Sequence, residues 1–267
     1  MAIARALLID LDGVIYQDEE LVPGAPEALA WLRAHAIPHA FLTNTTSQPR
    51  RALVAKLARL GVPAAAEQIV TPALAAAEWL RRNVPGTAAL FVPAATLADF
   101  AGVPTLADDA ESGAASVVVG DLGTAWTFGA LNRAFRLLMA NRSVALIALG
   151  MTRYWRASDG LRLDAGPFVT ALEHAADRRA VVLGKPAREF FEIALRTVQC
   201  AAAETVMVGD DIVTDVGGAR DAGIRGVLVR TGKFRDGDLG RGIPTDGLLD
   251  SIADLPSWWR DRGGTAS

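Results

Sequence analysis

Short apolar runs alternate with longer stretches of helical period along most of the chain. The runs Ala6–Ile9, His39–Thr43, Ala89–Val92, Ser116–Val119, Ala145–Leu149, Ala180–Leu183, Thr205–Val208 and Gly226–Val229 are almost wholly apolar. Runs of that kind predict strands buried on both faces, as in parallel sheets. Between them the pattern predicts helices over Ala25–His35, Gln48–Leu60, Pro72–Arg82, Thr127–Ala140, Pro167–Ala176, Arg188–Val198, Asp215–Ala222 and Leu249–Arg260. Strands separated by helices predict an α/β chain with right-handed crossovers.

The polar positions divide the chain. Residues 1–72 and 181–267 carry the sharp loop signatures DLDG, LTN, GKP and GDD, whereas 73–180 has its own strands and helices and few polar clusters. This predicts one core built from both ends of the chain and a second domain inserted at 73–180.

Composition narrows the classes. The chain has 267 residues, 51% hydrophobic and 21% charged, which excludes a disordered polyelectrolyte and allows a substantial core. Apolar runs fall short of the roughly 20 residues of a membrane span. The opening MAIARALLIDLDG reads as a buried strand rather than a secretion signal. Cys200 stands alone, so no intramolecular disulfide framework or multi-cysteine zinc site is expected. A cytoplasmic protein with no membrane partner follows. The net charge of −3 gives no global basic surface for nucleic acid. Among 27 basic residues only Lys56, Lys185 and Lys233 are lysines, so a lysine in a tight loop stands out against an arginine background.

Ligands of open parallel sheets bind at the carboxyl ends of the strands. Four strands here end in polar groups. Asp10 and Asp12 follow the first; two carboxylates beside a buried strand are costly unless they bind something, and Mg²⁺ with its oxygen ligands would suit them. A solvated Asp-Gly turn is the plainer reading. Thr43 and Asn44 follow the second and could hydrogen-bond a phosphate oxygen, while Thr46 or Ser47 could simply cap the next helix. Lys185, in Gly184-Lys185-Pro186, could stabilise a phosphoryl group or be a surface lysine in a turn. Asp210, Asp211 and Asp215 follow the fourth, where mutual repulsion calls for a cation or hydrogen bonds. There Asp215 could instead cap a helix and Asp211 could be solvated. His35, His39 and His174 lie within strand or helix patterns and form no constellation.

Asp10-Leu11-Asp12-Gly13-Val14, then Thr43-Asn44, then Lys185, then Gly209-Asp210-Asp211 with Asp215 resemble, in order, the four motifs of the haloacid dehalogenase superfamily. The second aspartate of the first motif resembles the phosphatase branch. The insertion between the threonine and lysine motifs resembles the C2-type cap of subfamily IIA. Val208–Gly232, with Arg153-Tyr154 and Gly166-Pro167-Phe168, is most similar to the phospholysine phosphohistidine inorganic pyrophosphate phosphatase-like branch. Asp12 departs from that branch's pattern, so its substrates are not carried over. The resemblance implies a Rossmann-like parallel-sheet core with an inserted α/β cap. It implies an Mg²⁺-dependent phosphohydrolase of a small phosphorylated metabolite. Asp10 would be the nucleophile that forms an aspartyl phosphate, and Asp12 the acid and base. Mg²⁺ would be held by Asp10, the Asp12 carbonyl and Asp210, with Asp211 or Asp215 holding its waters. Thr43, Asn44 and Lys185 would grip the phosphoryl group.

The cap would choose the substrate. Arg153, Tyr154, Trp155 and Arg156 form its polar and aromatic cluster, suited to a second anion or a flat ring, although a structural strand-turn-strand fits the same residues. Capped relatives often dimerise through this domain, and the apolar middle segment allows a homodimer. A non-catalytic rival is a receiver-like phosphorylation switch, which also combines an acidic pair, Asp, Thr and Lys, but is far shorter and has no inserted domain. A dinucleotide-binding oxidoreductase is disfavoured because no G-x-G-x-x-G follows the first strand.

Overall fold

The computed structural model describes residues 3–157 and 159–262. The chain forms two compact units, one of residues 1–43, 51–70 and 185–267, the other of 44–50 and 71–184. The boundaries expected at 72/73 and 180/181 lie a few residues from these.

In the first unit six parallel strands form one sheet in the order Gly247–Leu249, Arg225–Val229, Thr205–Gly209, Ala6–Asp10, His39–Leu42, Ile69–Val70. Ala6–Asp10 and Thr205–Gly209 are buried at every position, which is why their sequences run apolar without alternation. Leu7, Ile9, Val206, Val208, Val227 and Val229 belong to one core with Leu29 and Leu32 of the helix Ala25–Ala34, Leu53 and Leu57 of Arg50–Arg59, and Trp259. The register pairs Ile9 with Val208 and Asp10 with Leu42, so the polar residues that follow each of these strands emerge at one edge.

The second unit has a parallel four-stranded sheet, Val181–Val182, Ala145–Ala148, Ser116–Val119, Ala88–Phe91. The expected strand at Ala180–Leu183 therefore belongs with this sheet. Its helices begin as their sequences require. The hydroxyl of Thr71 accepts from the Leu74 amide ahead of Pro72–Asn83, and that of Thr127 from the Ala130 amide ahead of Phe128–Ala140. Trp126 stacks between Phe91 and Phe168, with ring centroids 5.7 and 4.8 Å away. Tyr154–Ala157 and Gly160–Leu163 pair as an antiparallel hairpin, the strand-turn-strand alternative for that segment.

Other elements differ from the pattern. Gly247–Leu249 and Ile69–Val70 are sheet-edge strands of three and two residues, too short for a periodicity to register. The helix expected over Asp215–Ala222 is a wide π-type turn, Ile212–Gly217, followed by a single α turn, Gly218–Asp221. Gly217 and Gly218 disfavour a regular helix there. Among the described residues no helix is long and apolar enough to cross a membrane.

The aromatic stack should carry much of the second unit's stability. Trp126→Ala is expected to cost about 3 kcal/mol, read as a lower urea midpoint by circular dichroism. A loss under about 1 kcal/mol would mean that the stack adds little beyond the net worth of one ordinary contact.

Candidate active site

At the edge where the strands of the first unit end, Lys185 reaches two carboxylates. Its Nζ donates to Asp10 Oδ1 at 2.6 Å and to Asp215 Oδ1 at 2.7 Å, and all three side chains are buried. Burial works against the charge of Lys185, but Asp10 and Asp215 outweigh it and hold the ammonium above its usual range. Burial pushes Asp10 up; Lys185 opposes that rise, and Asp215 and Asp210 add to it.

Asp210 is walled by backbone. Its Oδ2 accepts from the Lys233 amide at 2.7 Å, while its Oδ1 is buried with no partner among the described residues. A Cβ on Gly13 would lie 2.0 Å from Asp210 Oδ2, and one on Gly232 1.9 Å from the same atom. Both glycines have positive φ, 83° and 64°, so they supply the conformation as well as the space. Thr231 Oγ1 donates to the Gly13 carbonyl at 2.5 Å and ties the two loops together. Burial pushes Asp210 up to about 6, with Asp215 adding to the rise and the Lys233 amide opposing it.

The two aspartates left open at this strand end have separate jobs. Asp211 is the cap: its Oδ1 accepts from the amides of Val213 at 2.9 Å and Thr214 at 3.0 Å. Burial alone would raise it, but those two hydrogen bonds outweigh burial and hold its carboxyl below the usual range. Asp215 turns back into the site, where its Oδ2 accepts from the Asp211 amide at 3.1 Å. Gly209 is needed for this, since a Cβ there would come within 2.3 Å of the Asp215 Cβ.

Carboxylate oxygens of Asp10, Asp210 and Asp215 lie within 4.8 Å of one another. With all three ionised, three carboxylates against one ammonium would leave two negative charges in a buried space. Together with the unpartnered Asp210 oxygen, that imbalance fits a hard divalent cation. The carboxylates brought together are thus those of Asp10, Asp210 and Asp215.

Asp12 stands at the solvent-facing rim. Partial desolvation raises it, against the positive charges of Lys56, Lys233 and Lys185. Thr43 is buried, one residue beyond Leu42, the register partner of Asp10. Asn44 belongs to the second unit, where its Oδ1 would lie 3.3 Å from a Cβ on Gly184. Tyr154 and Trp155 are exposed on the hairpin of the second unit, with Arg153 5.8 Å over the Tyr154 ring and Arg162 5.9 Å over that of Trp155. The backbone of Arg156 pairs with Leu161; its side chain lies outside the described residues. Sequence reasoning missed Gly13, Gly232 and the Lys233 amide. The available signals were a glycine directly after the acidic pair and the rarity of lysine.

The chain resembles known proteins along most of its length. A haloacid dehalogenase-like hydrolase family model matches residues 7–102, and a second model for HAD-like hydrolases matches 182–255. The chain is 43% identical over 234 residues to the Bos taurus haloacid dehalogenase-like hydrolase domain-containing protein 2, covering 88% of this chain and 87% of that one. It is 36% identical over 260 residues to the Homo sapiens phospholysine phosphohistidine inorganic pyrophosphate phosphatase, covering 95% and 93%. Among solved structures, p-nitrophenyl phosphatase from Archaeoglobus fulgidus superposes with a TM-score of 0.86 at 25% identity over 96% of this chain and all of that one. NagD from E. coli gives 0.83 at 25% identity, over 95% and 98%.

The site's charge predicts a stability signature. Asp210 binds its proton more tightly folded than unfolded, so folding is penalised above about pH 6 and the penalty fades as pH falls toward the usual carboxylate range. In chelator at pH 7.5, Asp210→Asn is expected to melt above the wild type, with the gain shrinking between pH 6 and pH 4. Added Mg²⁺ is expected to raise the melting temperature of the wild type and not that of the variant. Thermal melts at several pH values with and without Mg²⁺ check this, and a variant that melts below wild type in chelator would contradict it.

Proposed function

The chain belongs to the haloacid dehalogenase-like hydrolases and is a phosphatase, and from that premise we propose that it removes the phosphoryl group of a small metabolite through an aspartyl phosphate on Asp10, with Mg²⁺ as cofactor. The observation that carries the proposal is the buried Lys185 bridging Asp10 and Asp215, beside an Asp210 oxygen that has no described partner.

In this reading the Asp10 carboxylate attacks phosphorus as the bond to the leaving oxygen breaks. Asp12 gives that oxygen a proton. A water then attacks the phosphorus of the aspartyl phosphate, its proton passes to the Asp12 carboxylate, and Asp10 and phosphate separate. Lys185 holds Asp10 in place and offsets phosphoryl charge, and Thr43 and Asn44 donate to phosphoryl oxygens. Asp10, the Asp12 carbonyl and Asp210 would hold Mg²⁺, with Asp215 acting through Lys185 and Asp211 by capping the turn. When bound, Mg²⁺ supplies charge neutralisation that lets a dianionic ester approach carboxylates.

We assign substrate choice to the second unit, through Arg153, Tyr154, Trp155 and Arg156. The exposed Tyr154, Trp155, Leu161 and Leu163 of its hairpin also support a homodimer through that unit. The receiver-like alternative is not favoured, since hydrolases align along most of the chain.

The test is hydrolysis of p-nitrophenyl phosphate. Activity is expected with Mg²⁺, none in EDTA, and return on adding Mg²⁺ back. Asp10→Asn should fold, being nearly isosteric, and lose at least about a thousandfold in kcat, or about 4 kcal/mol of barrier. Residual activity within about tenfold of wild type, 1.4 kcal/mol, would remove Asp10 as nucleophile.

A further inference from the structure

The sequence has three lysines, Lys56, Lys185 and Lys233. Lys185 and the Lys233 amide are already engaged by Asp10, Asp215 and Asp210. Lys56 belongs to none of the four loops that build the site. It lies on the helix Arg50–Arg59, whose other basic residues are Arg50, Arg51 and Arg59. Its side chain is only 13% exposed, against 62% for Arg59 one turn on.

Two contacts define what Lys56 holds. Its Nζ lies 3.8 Å over the centroid of the Tyr16 ring and 3.7 Å from Glu19 Oε1. Arg59 pairs with the other oxygen of the same glutamate. Tyr16–Gln17 and Glu20–Leu21 form a two-stranded hairpin, so the helix grips this hairpin at its first residue and at its tip.

The hairpin is continuous with the turn that carries Asp12. The Gly13 amide donates to the Tyr16 carbonyl at 2.7 Å, and the backbones of Asp12 and Tyr16 are bridged. The amides of Ile15 and Tyr16 both donate to the Leu11 carbonyl, at 2.9 and 3.3 Å. The Asp12 turn therefore has two anchors: the strand ending at Asp10, and the buried Tyr16. The first is fixed by the sheet. The second depends on whatever holds the Tyr16 ring, and that includes Lys56. A cation above an aromatic face in a partly desolvated place is an attraction of useful size.

We propose that Lys56 is a positioning residue for the proton donor: from the helix Arg50–Arg59 its ammonium pins the Tyr16–Leu21 hairpin, and through it the turn that aims Asp12 at the leaving oxygen. The inference rests on the role given to Asp12 above. Lys56 touches neither the phosphoryl group nor the nucleophile, so its loss leaves attack by Asp10 intact. What it degrades is proton delivery, and a misplacement of about 1 Å can cost on the order of a hundredfold.

A readout of proton delivery separates this role from a structural one. p-Nitrophenolate is a stable anion and leaves without a proton, whereas phenolate needs one. The experiment compares kcat/KM for p-nitrophenyl phosphate and phenyl phosphate, with Mg²⁺, in wild type, Asp12→Ala, Lys56→Met and Lys56→Arg. Lys56→Met is expected to lose about tenfold or more on phenyl phosphate beyond its loss on p-nitrophenyl phosphate, in the same sense as Asp12→Ala. Lys56→Arg keeps the cation and should stay within about threefold of wild type on both, since guanidinium also binds aromatic faces. Equal losses on the two substrates in Lys56→Met, or none, with the split present in Asp12→Ala, overturn the inference alone. No split in Asp12→Ala removes Asp12 as proton donor and the inference with it. Should Lys56→Met fail to fold, Glu19→Gln carries the test: a smaller split of the same sign is expected, and its absence overturns the proposal.

Discussion

A buried ammonium shared by two carboxylates is the constraint around which the first unit is arranged. Burial works against the charge of Lys185, and Asp10 and Asp215 offset it; burial also pushes Asp10 up, and Lys185 opposes that rise. The three groups come from loops 175 and 30 residues apart, so the contact forms only when the sheet is complete. Folding thus concentrates charge that an unfolded chain would keep apart. The residual negative charge, focused by Asp210, is what a divalent cation would offset.

The sheet makes this concentration achievable. Parallel strands bring successive loops to one edge, and the central pair Ala6–Asp10 and Thr205–Gly209 delivers Asp10 and Asp210 side by side. Local chemistry then assigns each acid a task. Asp211 satisfies the amides of Val213 and Thr214, which frees Asp215, four residues on, to turn inward. Gly209 gives that side chain its room. The wide turn that replaces a regular helix here is the backbone form that serves both aspartates at once.

Much of this was legible from residue order alone. Fully buried strands leave an unbroken apolar run, and an acid placed directly after such a run is conspicuous; Asp10 and Asp210 were readable for that reason. Lys185 was readable because the chain otherwise writes positive charge as arginine. The division of labour between Asp211 and Asp215 was not, since spacing cannot say which of two acids four apart turns toward amides and which toward a lysine. Nor could sequence place Val181–Val182 in the second sheet, because a two-residue strand carries no mark of its neighbour. Lys56 lay inside an ordinary helical pattern, and its link to Tyr16 is made only by tertiary packing.

The wall around Asp210 is made of main chain at Gly13 and Gly232, not of side chains. A wall of that kind offers no graded adjustment. A side chain can be exchanged for one slightly larger, smaller or more polar, but here even the first carbon would occupy the space of a carboxylate oxygen. Gly13 and Gly232 are therefore positions at which no larger residue fits while Asp210 stays where it is. A change at either glycine is thus a step and not a gradation: it moves Asp210 or the main chain beside it, or it does not fit.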